Sequence, residues 1–181
     1  MPSMINRHVI FKSRDHTVRV AAEELSNIAD VELLILRSHL IIESVMFTAV
    51  SQRFTNRTPI IEAGLSFRQL FFLAQGLPQS PSEHWVWHFV TKLSRIRNDI
   101  SHELKPRYGK RLNELVELSR KFLNFQLTDD PTLNLRKALI MTTLEIHNVL
   151  AAESPQDMAQ RQNQFAAWQF ITPEENSQLP N

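Results

Sequence analysis

The chain has 181 residues, 43% of them hydrophobic and 22% charged, with a formal net charge of +1. That is enough apolar material for one globular core, and too little net charge for a polycationic nucleic-acid binder. With no cysteine and only three glycines, Gly64, Gly76 and Gly109, the composition excludes disulfides, thiolate metal sites, cysteine nucleophiles and glycine-rich phosphate loops.

In chain order, residues 1–16 show no clear period and are expected to form an N-terminal arm. They lack the long apolar stretch of a signal peptide. A short helix is predicted from Thr17 to Ser26. Asp30 is placed to cap the next helix, which is apolar almost all round and runs to about Phe54. Its most apolar part, Val31 to Val50, is interrupted by Glu32, Arg37, His39 and Glu43. A membrane span needs about 20 apolar residues with few or no charges. This run is therefore read as a buried core helix, with no membrane contact and a cytoplasmic location expected.

Residues 56–63 read as a loop. Ser66 starts a short helix that Gly76 stops, and a second loop follows. Ser82 is expected to cap a long helix running through Trp85 to Ser101, with Pro106 interrupting the chain at or after its end. A further amphipathic helix spans about Lys110 to Phe125. Asp130 and Pro131 are a good N-cap and first-turn pair for the last core helix, Thr132 to Ala152. Residues 153–181 turn polar and net acidic and are expected to form a tail, leaving one helical domain over 17–152. No β-period appears. The fold class expected is all-α, a bundle of about five helices.

Charge is uneven along this plan. Residues 91–121 carry nine Lys/Arg against four acids. The long helix explains part of that. At about 100° per residue, Trp85, Phe89, Leu93, Ile96 and Ile100 fall in one arc and make a core stripe. His84, His88, Lys92, Arg95, Asp99 and His102 fall on the opposite side, and Arg97 sits at the edge of the stripe. Trp87 lies off the stripe, where an interface is one place for it. Arg97 and His102 are about 140° apart on a straight helix, so they do not share a face. A joint site would need a helix break near Ser101 or a second copy of the chain.

The plain structural roles are a pair between Arg97 and an acid such as Glu43, and a helix-end cap by His102. The stretch Arg97-Asn98-Asp99-Ile100-Ser101-His102, late in a long helix of an all-α chain, also resembles the Arg-x4–6-His signature of the HEPN superfamily. The resemblance covers roughly residues 29–152 and is similar to the mannitol-operon-repressor-like branch in size and arrangement. It implies a dimeric, metal-independent endoribonuclease of toxin or defence type, in which motifs from two subunits meet in one cleft. Arg97, Asn98 and His102 would be its catalytic residues. Arg95, Lys105, Arg107 and Lys110 would hold the RNA backbone. It further implies a homodimer, RNA as substrate, and a protein antitoxin or regulatory partner. Many members of the superfamily are inactive, so a non-catalytic regulatory or protein-interaction module, such as a transcriptional co-regulator, is the alternative.

Other sites are weaker. His84 and His88 have a spacing that can bind zinc, but the HExxH glutamate is missing because position 85 is Trp. A solvated or phosphate-facing pair is the better reading. No cofactor motif can be located.

Overall fold

The computed structural model describes residues 11, 13–77, 82–103 and 107–151. Lys105, Pro106 and the tail from residue 152, together with residues 1–10, lie outside this set. Among the described residues there are seven helices and no strand: α1 Arg14–Ser26, α2 Val31–Ser51, α3 Thr58–Glu62, α4 Phe67–Gln75, α5 Trp85–His102, α6 Gly109–Leu123 and α7 Pro131–Ala151. The fold is an all-α bundle.

Capping chemistry sets most helix starts. Asp30 accepts from the Leu33 amide at 2.8 Å and opens α2. Ser66 and Gln69 form a reciprocal capping box at α4. Asp130 Oδ1 accepts from Thr132 and Leu133 ahead of Pro131 at α7. α6 ends differently: Asn124 adopts the left-handed conformation, at φ 49°. Gly76, which ends α4, stays right-handed.

Three boundaries depart from the sequence reading. α1 begins at Arg14, inside the expected arm, because Ser13 caps it by accepting from the His16 amide. Phe11 is 2% exposed in the core, and its amide donates to Thr48 on α2. α3 lies within the expected 56–63 loop and buries none of its residues. α5 is capped by His84, not Ser82: His84 Nδ1 accepts from the Val86 amide at 3.5 Å.

α2 is the hub. It packs against α1, α4, α5 and α7, and α7 also contacts α1, α5 and α6. An 18-residue stretch of this 21-residue helix has a mean hydropathy of 1.7, long and apolar enough to cross a membrane, but most of it is buried inside the bundle. Leu34, Ile35, Ile42 and Met46 of α2 meet Phe89, Leu93 and Ile96 of α5 and Leu139 and Ile146 of α7 in one core. α5 is thereby held along its apolar stripe, which fixes how the polar stripe faces outward.

Candidate functional site

α5 is a single unbroken helix from Trp85 through His102. The Ser101 hydroxyl donates to the Arg97 carbonyl at 2.9 Å, one turn back, and the Glu103 amide closes on Asp99. The helix therefore does not break near Ser101. Arg97 and His102 stay about 140° apart and about 7.5 Å along the axis within one chain.

The predicted residues take distinct environments. Arg97 is half-buried, and its guanidinium donates to Asn98 Oδ1 at 3.3 Å. Asn98 and His102 are exposed. Asp99 is half-buried and ion-paired with Arg111 of α6. Arg95, Arg107 and Lys110 are exposed and, among the described residues, have no carboxylate within ion-pair distance. Lys105 lies outside the described residues. The structure brings the motif end of α5 beside the N-terminal end of α6, where Lys110 and Arg111 sit. It does not bring Arg97 and His102 onto one face.

The charge of Arg97 acts on a histidine of α2. His39, 5% exposed, stacks on Phe67 with ring centroids 4.0 Å apart. Burial, and secondarily the Arg97 charge, hold its pKa down to about 4. A neutral imidazole thus lies behind the half-buried arginine. The sequence offered one signal for it, a lone histidine in an otherwise apolar run, and that signal carries no partner.

Two expectations are corrected. Trp87 is 3% exposed and packs edge-on against Phe71 at 5.7 Å, so it belongs to the core. α5 has α2, α6 and α7 around it, and its buried face widens to include Val86, Trp87 and Val90. His84 is not solvated. It caps α5, and its Nε2 lies 3.7 Å from Glu145, a carboxyl buried on α7. Burial lowers the His84 pKa and raises that of Glu145, so both directions favour an uncharged contact. His88, one turn on, is exposed.

α5 and α6 run antiparallel. Asp99 meets Arg111, Lys92 meets Glu114 at 2.6 Å, and Trp85 stacks on Phe122. Between them lies an open cleft of about 680 Å³, lined by Lys92 from α5 and by Glu114, Glu117, Leu118 and Lys121 from α6.

Compared with known proteins, the chain matches no family model, no curated protein and no solved structure.

Proposed function

We propose that this chain is a HEPN-like, dimeric, metal-independent endoribonuclease of toxin or defence type. The observation that carries the reading is an exposed histidine, His102, on the same rigid helix as a half-buried Arg97 bonded to exposed Asn98, beside the exposed cations of α6. In the reaction, the ribose 2′-hydroxyl attacks the adjacent phosphorus. His102 takes the 2′-proton, which an imidazole can do near neutral pH. Arg97 binds the phosphorane oxygens through its two-pronged guanidinium. Asn98, bonded to Arg97, fixes that guanidinium. The 2′-oxygen–phosphorus bond forms and the 5′-oxygen–phosphorus bond breaks. The products are a 2′,3′-cyclic phosphate and a 5′-hydroxyl, which regains its proton from the imidazolium or water.

The 140° separation on an unbroken helix requires Arg97 of one copy to work with His102 of another. Residues 94–102 therefore lie at or beside a homodimer interface in this reading. Burial of Trp87 removes one reason to expect that interface and leaves the angular argument standing.

The test is RNA cleavage in the presence of a chelator, with thermal stability measured on the same samples. His102→Ala and Arg97→Ala should each abolish cleavage. His102→Ala should leave the melting temperature nearly unchanged because the side chain is exposed. Absence of cleavage by the wild-type protein would hand the chain to the second reading, a non-catalytic regulatory or interaction module. Charge pairing favours that reading: Lys92, Arg111 and Arg120 are each matched by a carboxylate, which trims the basic surface.

A further inference from the structure

Phe122 is 46% exposed, yet its ring lies flat on Trp85, parallel at 5.0 Å between centroids. Trp85 is itself buried, so it fixes the plane of Phe122 from behind. The ammonium of Lys121 sits 5.5 Å from the centroid of the same ring. Lys121 has no carboxylate within ion-pair distance among the described residues. An isolated exposed phenylalanine needs no explanation. A rigidly backed one, next to an unmatched lysine that lines the α5–α6 cleft, has the chemistry of a stacking platform for a nucleobase.

The cleft gives the platform a direction. Lys110, Glu114, Glu117 and Lys121 recur at helical spacing and form one stripe of α6. Lys92, Arg95 and Asp99 form the facing stripe of α5. From Asp99 to Trp85 the seam between the two helices is about 21 Å long at 1.5 Å per residue, and the cleft opens along its Lys92–Lys121 part. Its motif end holds Arg95 and Lys110 as unmatched cations, and its far end holds Lys121 and Phe122.

We infer that the α5–α6 groove is a track for single-stranded RNA, and that Phe122, backed by Trp85, stacks one base a few nucleotides away from the bond cut at the motif end of α5. On binding, Lys121 swings from the ring to a phosphate. The inference rests on RNA being the ligand, as in the reading above, and adds where the strand lies and which residue grips a base.

The experiment uses a short, end-labelled 2′-O-methyl RNA oligonucleotide, whose blocked 2′-oxygen prevents cleavage, and follows fluorescence anisotropy at low salt. Phe122→Ala should weaken binding roughly 5- to 150-fold, the range for loss of one base–aromatic stack. Phe122→Trp should restore it. Lys121→Ala should reduce the salt slope by about 0.7 unit. A parallel scan needs no protein variant: replacing bases one at a time by abasic sites should expose one sensitive position, whose sensitivity disappears in Phe122→Ala. If Phe122→Ala binds as tightly as wild type and no abasic position matters, the platform is overturned while RNA binding stands. If the platform behaves as expected but unblocked RNA is never cut, the ribonuclease reading fails and the track survives. Failure of the wild-type protein to bind any single strand overturns both.

Discussion

His39 shows how far a single side chain can couple the core to the motif. It is held neutral first by burial and then by the charge of Arg97, with its pKa near 4 against 6.5 unfolded. Between those values the unfolded chain takes up a proton that the folded chain refuses. Stability is therefore complete above about pH 6.5 and falls as pH drops toward 4, by about 3 kcal/mol at most. His84, whose pKa is also lowered by burial, adds to this loss with the same sign. Glu145 works the other way: its raised pKa favours the folded state at low pH, and that contribution fades as pH rises through the folded value. Denaturant unfolding at pH 7 and pH 4.5 should show a clear drop for the wild type and a smaller one for His39→Phe, which keeps the stack on Phe67. In Arg97→Ala, the His39 ring protons should titrate at a higher pH than in the wild type, with the larger burial effect still holding the pKa below 6.5. An unchanged titration would mean that the guanidinium does not face α2.

At the scale of elements, the α6–α7 connection depends on Asn134. Its Oδ1 accepts from the Thr128 amide at 2.8 Å and from the Thr128 hydroxyl at 3.0 Å, and its Nδ2 donates to the Thr128 carbonyl at 2.8 Å. Asn134 is buried, so its removal strands the Thr128 backbone groups as well as losing the bonds. Asn134→Ala should cost about 2 kcal/mol in chemical denaturation. Asp130→Ala, which removes the α7 cap, should cost about 1 kcal/mol. If Asn134→Ala proves neutral, the loop reaches its conformation by packing of Phe125, not by this knot.

On the scale of the whole molecule, α2 concentrates the stability. Met46 is fully buried in the core that α2 shares with its neighbours, and Met46→Ala should cost about 2–5 kcal/mol with cooperativity retained. Assembly is decided separately. Sedimentation at micromolar concentration should give a dimer, and a charge reversal at Arg95, on the exposed side of α5, should shift the balance toward monomer if residues 94–102 meet their counterparts. A wild-type monomer would leave Arg97 and His102 apart and count against the ribonuclease.

The helical class, six of the seven helices among the described residues and the caps at Asp30, Ser66 and Asp130 were legible in the chain, because apolar period and side-chain capping are local. The core stripe Trp85, Phe89, Leu93 and Ile96 was legible for the same reason, as was the 140° separation, since both follow from helix geometry alone. The environments of Trp87, His84 and His39 were not. A period assigns one face of a helix to the core, but how wide that face becomes depends on how many neighbours surround it, and α5 has α2, α6 and α7 around it. His84 Nε2 lies 3.7 Å from Glu145, 61 positions along the chain, and the Phe122 ring lies on Trp85 because α5 and α6 pack antiparallel. Contacts of that kind join residues with no sequence relation, so tertiary packing alone decides them.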